Sequence, residues 1–157
     1  MSKLTVALAG NPNCGKTALF NKLTGLRQQV GNWPGVTVDR KSGRFNYQKQ
    51  LVEVIDLPGI YSSSVIDDCA VDEQITCAFL LKDNVDIVVN VLDGSNLARS
   101  LYLTLQLLEI GVPVILAVNM MDIVNARGLT VDLAKLQQLT GCSAVPLVAK
   151  QSRGIEA

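Results

Sequence analysis

Histidine is absent from the chain, so imidazole general bases and the usual zinc ligands are excluded from any mechanism it carries. Proton handling rests on carboxylates, bound substrate or water. Net charge is absent too: fourteen Lys and Arg balance fourteen Asp and Glu. No basic field exists to hold a nucleic acid or an anionic membrane by charge alone, and partners must be recognised by shape. Cys14, Cys69, Cys77 and Cys142 lie far apart, with no C-x-x-C spacing and no secretory signal ahead of them. That usage fits a reducing, cytosolic setting and offers no spaced pair of metal ligands at Cys69 or Cys77. A long hydrophobic run is also missing. Residues 101–118 come nearest, but Gln106, Glu109, Gly111 and Pro113 interrupt them, so they read as a helix and a buried strand, not a membrane span.

What is present is apolar and periodic. The 157 residues are 48% hydrophobic, which suits one domain over 1–157 with a substantial core. Runs rich in Val, Ile and Leu recur at 4–9, 52–55, 87–92, 114–118 and 144–148, each long enough for a strand buried on both faces. Helical patterns fit 15–24, 71–81, 131–140 and a segment carrying Leu97, Leu101, Leu105 and Leu108 before the Gly111-Val112-Pro113 break. Residues 40–47 and 51–55 flank the polar Gln48-Lys49-Gln50 and read as an antiparallel hairpin. The expected architecture is α/β: a mostly parallel six-stranded sheet with one antiparallel edge strand, helices on both faces and ligands at the carboxyl ends of the strands. Tyr61 to Ser64 is the segment best suited to movement.

The most informative stretch is Gly10-Asn11-Pro12-Asn13-Cys14-Gly15-Lys16-Thr17, a complete G-x-x-x-x-G-K-[ST] loop between the first apolar run and the helical pattern that begins at Ala18. This is a nucleoside triphosphate site: successive backbone N–H groups face the phosphates, Lys16 reaches the outer oxygens and the Thr17 hydroxyl can ligate Mg2+. Cys14 sits where only backbone is needed and reads as a small space-filler. Asn11 reads as structural.

Further on, Asp56-Leu57-Pro58-Gly59, Asn119-Met120-Met121-Asp122 and Val148-Ala149-Lys150 each follow a predicted strand. This order resembles the GTPase superfamily and implies a Ras-like P-loop fold. By that resemblance Asp56 holds Mg2+ through water and the Gly59 N–H meets the terminal phosphate. Asn119 and Asp122 match N-K-x-D, whose Asp accepts from guanine N1–H and the 2-amino group. The Ala149 N–H reaches the guanine carbonyl. Adenine lacks that donor pair, and an unpaired carboxylate beneath it would penalise it by roughly 1–3 kcal/mol.

Departures from the pattern carry expectations of their own. Met120 stands where Lys is usual and Val148 where Ser is usual; both changes predict weaker nucleotide binding and rapid exchange. Ile60 follows D-x-x-G where small signalling GTPases have a water-orienting glutamine, so intrinsic turnover should be slow. In GTPases resembling this one, an Asn at the position of Asn13 helps bind K+ beside the phosphates, where an arginine finger would otherwise act. A purely local role, in which Asn13 tightens its own loop, is the alternative. The first switch loop should hold residues 30–37, with Gly35 beside the nucleotide and Thr37 as a second Mg2+ ligand. Trp33, the only tryptophan, is expected to be partly exposed in this Gly- and Pro-flanked loop. Lys16, Asn13, Thr37 and Gly59 are the residues expected to act on the reacting phosphate.

The combination G-N-P-N-C-G-K-T-A-L-F-N, V-G-N-W-P-G-V-T-V-D-R-K-S-G, D-L-P-G-I-Y-S and N-M-M-D closely resembles the cytosolic G domain of the bacterial FeoB ferrous iron transporter family, over essentially the whole chain. The resemblance implies a GTP/GDP-binding GTPase with Mg2+ and K+, at the cytoplasmic face of the inner membrane. It also implies helical and transmembrane regions beyond Ala157 as its partners. A homo-oligomer stays open. Two other readings do as well: a soluble ribosome-assembly or RNA-modification GTPase, and a GTP-dependent assembly switch whose hydrolysis is incidental.

Overall fold

The computed structural model describes residues 2–11, 13–25, 28–35, 38–58, 68–82 and 85–156, with backbone alone for 68–74. In chain order the elements are β1 (Lys3–Gly10), α1 (Lys16–Thr24), β2 (Gln28–Asn32), β3 (Asp39–Tyr47), β4 (Gln50–Asp56), α2 (Asp68–Lys82), β5 (Ile87–Asp93), α3 (Leu97–Ile110), β6 (Val114–Asn119), α4 (Met121–Ala126), α5 (Leu133–Thr140) and β7 (Ser143–Pro146). Short 3-10 turns occupy Gly94–Asn96 and Ala149–Gln151.

Among the described residues seven strands form one sheet in the order β2-β3-β4-β1-β5-β6-β7. Strands β4, β1, β5, β6 and β7 run parallel, and β3 runs antiparallel to both of its neighbours. The sheet therefore has one more strand than the sequence pattern predicts, and the antiparallel strand is not the edge. The additional strand, Gln28–Asn32, reads Q-Q-V-G-N and is largely exposed; an edge strand with no buried face shows no apolar alternation to detect.

Because parallel strands are covered on both sides, successive residues of β1 feed different cores. Val6 and Leu8 pack with Leu19 and Phe20 of α1, whereas Ala7 and Ala9 face Phe79 and Leu80 of α2 and Leu103 and Leu107 of α3. Strand ends are thereby held rigidly at one edge of the sheet, where the loops of interest emerge.

Helix α3 forms where the periodicity predicts, yet its inner face differs. Ser100, Leu103, Thr104 and Leu107 are buried, while Leu105 is 58% exposed. The leucine stripe lies to one side because Thr104 turns inward to accept from Asn90 Nδ2 at 2.5 Å. Leu107→Ala should therefore cost about 2–5 kcal/mol, whereas Leu105→Gln should change stability by under about 0.5 kcal/mol. Urea unfolding of the two variants checks the assignment of faces.

The β3–β4 hairpin closes through Tyr47 opposite Gln50, with both central residues left-handed, Gln48 at φ 45° and Lys49 at φ 66°. A two-residue turn of this type favours Asn-Gly. Lys49→Gly should raise stability by about 0.5–1 kcal/mol, readable as a small increase in Tm.

Candidate functional site

Strand β1 ends at Gly10, and the chain turns through Asn13 at φ 63° and Gly15 at φ 93° before α1 begins at Lys16. No side chain caps that helix, so its first N–H groups face the loop unpaired by a cap, the arrangement that attracts anions. Two glycines are required by space. A Cβ on Gly10 would stand 2.6 Å from Cys14 Sγ, and one on Gly15 would stand 2.0 Å from Asn119 Nδ2.

Cys14 is buried, and burial pushes its thiol above the ordinary value against the opposing pull of Lys16. It is a packed thiol, consistent with the space-filling reading. Asn11 donates through Nδ2 to the Arg99 carbonyl at 3.3 Å, which anchors the loop to α3. The Asn13 side chain is exposed and makes no hydrogen bond among the described residues. The local loop-tightening role is thus not seen there.

At the end of β4, Asp56 stands 3.1 Å from Lys16 Nζ, and the same ammonium donates to the Leu57 carbonyl. Asp56 Oδ1 is buried with no hydrogen-bond donor among the described residues, although the Lys16 ammonium stands near it. Thr17 is exposed at the head of α1, and Ala18 behind it packs on the α1-side core. Thr76 Oγ1 reaches the Pro58 carbonyl at 3.5 Å and ties α2 to this loop.

Asn119, at the end of β6, is the hub of the site. Only 3% exposed, it donates through Nδ2 to the Cys14 carbonyl and accepts at Oδ1 from the Ala149 N–H, each at 2.9 Å. One amide thus bolts the phosphate loop to the loop after β7. The Ala149 N–H, expected to face a base carbonyl, is engaged in this bond. The next amide, on Lys150, donates to no described backbone carbonyl. Met120 is left-handed at φ 62° and caps α4, a helix absent from the sequence reading, whose first turn carries Asp122 exposed. Val148 is buried and bridges Arg153 through paired backbone hydrogen bonds of 3.0 and 3.2 Å. The loop is anchored by backbone where the missing Ser would have anchored it by side chain.

Sequence reasoning passed over Gly94 and Asp93. A Cβ on Gly94 would meet the Asn119 carbonyl at 2.9 Å, so Gly94 lets β6 close on the turn after β5. Asp93 accepts from the Ser95 N–H and hydroxyl at 2.9 and 2.6 Å. With Asn11, Asn13 and Asn96 it borders a polar recess of about 140 Å3 beside the phosphate loop. The D-G-S sequence at 93–95 was the available signal.

Trp33 is the clearest departure from expectation. It is 4% exposed, meets Phe79 edge to face at 5.2 Å and lies under the Arg40 guanidinium at 4.9 Å. Its backbone N–H donates to the Val38 carbonyl at 3.0 Å, and Gly35 nearby is left-handed at φ 78°. Pro12, Thr37, Gly59, Ile60, residues 61–64 and Asp67 lie outside the described residues.

A family model for Ferrous iron transport protein B matches residues 4–157. The chain belongs to the FeoB family. It is 52% identical over its whole length to the Fe(2+) transporter FeoB of Shigella flexneri, of which it spans 20%. The cytosolic domain of L. pneumophila FeoB superposes with a TM-score of 0.89 at 48% identity, over 97% of this chain and 65% of that one. The T. maritima FeoB cytosolic domain in its GMPPNP form gives 0.88 at 43% identity, over 98% of this chain and 60% of that one. The same T. maritima domain is also known in a GDP form. These likenesses make the fold a Ras-like P-loop GTPase fold and the chain a FeoB G domain. Among the described residues, no helix is long and apolar enough to cross a membrane.

Proposed function

We propose that this chain binds GTP and hydrolyses it to GDP and phosphate, as the regulatory or energising G domain of a ferrous iron transporter at the cytoplasmic face of the inner membrane. The observation that carries the reading is the Asn119 clamp, which fixes the phosphate loop and the base loop to each other from the end of one strand. Such a joint holds the two loops at a fixed spacing, which suits one ligand that spans both. The T. maritima relative in GMPPNP and GDP forms supports the same reading.

The chain's own groups divide the work. N–H groups of residues 13–18 cradle the phosphates, and Lys16 exchanges the Asp56 carboxylate and Leu57 carbonyl for phosphate oxygens. Thr17 and Asp56 fit Mg2+ chemically, as a hydroxyl and a carboxylate whose buried oxygen lacks a donor; Thr37 would join them. Asn13, exposed beside the same loop, would hold K+ through its carbonyl oxygen. Both cations would supply positive charge where negative charge develops on the transferring phosphoryl group. At the base end Asp122 accepts from guanine, and the backbone N–H groups of the Ala149–Lys150 turn would meet its carbonyl. Gly59 would offer its N–H to the terminal phosphate.

Asp122 is exposed and Met120 brings no cation to the phosphate loop, so nucleotide should leave quickly. Stopped-flow release of labelled GDP should be complete within seconds; release over many minutes would contradict this. Phosphate release from GTP, with none from ATP, tests the activity itself. Loss of that release in Lys16→Ala would tie it to this site.

A further inference from the structure

The base-loop motif ends at Lys150, but the backbone ring to which it belongs closes beyond it. Val148 donates to the Arg153 carbonyl at 3.0 Å and accepts from the Arg153 N–H at 3.2 Å, an isolated antiparallel bridge. Inside that bridge the Gln151 N–H donates to the Val148 carbonyl at 3.0 Å, and the Ser152 N–H to the Ala149 carbonyl at 3.1 Å. The Val148 and Ala149 carbonyls are thus turned into the ring. The Lys150 N–H donates to no backbone carbonyl among the described residues, so the outward edge of the turn offers a donor.

Two residues outside the motif make this closure possible. Ser152 is left-handed at φ 56°, a conformation that residues other than glycine adopt rarely. Gly154 is left-handed at φ 80°, and a Cβ there would stand 2.3 Å from the Pro146 carbonyl oxygen and 3.1 Å from Leu147 Cα. Both neighbours are backbone, and the Leu147 N–H is itself tied to the Val118 carbonyl at 2.9 Å, so neither can give way cheaply. Gly154 therefore lets the returning limb of the ring lie on the outgoing one, while Asn119 holds the ring from the other side through the Ala149 N–H. Left-handed non-glycine backbone persists where its surroundings over-determine it, and it clusters at sites that need a fixed geometry.

We propose that Ser152 and Gly154 are positioning residues for guanine recognition: they preform the Ala149–Lys150 turn so that its amide edge meets the base O6 at a fixed place. Neither residue touches the base; both act through the turn. A donor edge selects a carbonyl at that position over the amino group of adenine. The proposal rests on the guanine-nucleotide reading above and names the residues that set one of its contacts.

The test compares binding of GDP with that of two analogues to the whole chain. In 6-thio-GDP a sulfur, the poorer acceptor, replaces O6 while the N1–H and 2-amino donors remain. IDP keeps O6 and lacks the 2-amino group that would face Asp122. The unsubstituted chain should bind GDP about three- to tenfold more tightly than 6-thio-GDP, the scale of one neutral hydrogen bond. In Gly154→Ala that preference should fall below about twofold, with the preference for GDP over IDP retained, because Asp122 stands on α4 and not on the ring. Ser152→Val places a β-branched side chain on left-handed backbone at an exposed position. It should give the same pattern with no new atom against Pro146, and melting curves verify that each variant folds. Equal losses of GDP, 6-thio-GDP and IDP binding in the variants would overturn the proposal by showing that the ring serves stability alone. A preference over 6-thio-GDP that either folded variant keeps would overturn it as well. Absence of GDP binding by the unsubstituted chain would overturn the guanine-nucleotide reading itself, and this proposal with it.

Discussion

Asn119→Ala should lower guanine-nucleotide affinity about a hundredfold or more and also destabilise the domain by about 2–5 kcal/mol. The side chain is buried and serves two backbone groups, the Cys14 carbonyl and the Ala149 N–H. Truncation leaves both without partners, each at about 1–3 kcal/mol, and opens space against Gly15, whose Cα faces the amide. For a domain of this size the melting temperature should fall by roughly 5–15 °C. Asn119→Asp separates the two ends of the clamp. Its carboxylate still accepts from Ala149 but faces the Cys14 carbonyl with no donor, so the phosphate-loop end alone is broken. Calorimetry should place its stability between wild type and Ala, while its nucleotide affinity falls nearly as far as that of Ala. Equal affinity in wild type and Asn119→Asp would show that the two loops are not coupled through this residue.

Asn13→Ala should abolish potassium stimulation of GTP turnover. In potassium chloride the unsubstituted chain is expected to turn over about ten- to a hundredfold faster than in sodium chloride of equal ionic strength, the scale of one well-placed electrostatic stabiliser. The variant should be equally slow in both salts. Asn13 is suited to this comparison because its side chain is exposed and supports no described hydrogen bond, so its removal leaves the loop's own bonds in place. Equal rates for the unsubstituted chain in the two salts would remove Asn13 from catalysis and assign the missing charge to another domain or partner.

The phosphate loop was legible in the sequence because its chemistry is backbone chemistry: only glycine tolerates the approach of Asn119 at Gly15 and of Cys14 at Gly10, and contiguous spacing records that demand. Strands β1, β4, β5 and β6 were legible for a similar reason, since burial on both faces leaves unbroken apolar runs. Strand β2 left no such trace, being an exposed edge held by backbone pairing to β3. Trp33 was misjudged because its burial depends on Phe79 and Arg40, residues distant in sequence that meet it only in the folded sheet. The bond from Ala149 to Asn119 was hidden for the same reason. The motif position of Ala149 suggested a free N–H, and only the three-dimensional reach of Asn119 reveals that the hydrogen bond is already made. Loops selected for their ligands are read from sequence; contacts made across the core are not.

The most direct test of the central claim is displacement of fluorescent GDP from this chain by GTP and by ATP, in the unsubstituted protein and in Asp122→Ala. The account predicts displacement by GTP in the micromolar range, no displacement by ATP at concentrations about a thousandfold higher, and weak displacement by both in the variant. Displacement by ATP as readily as by GTP would contradict it.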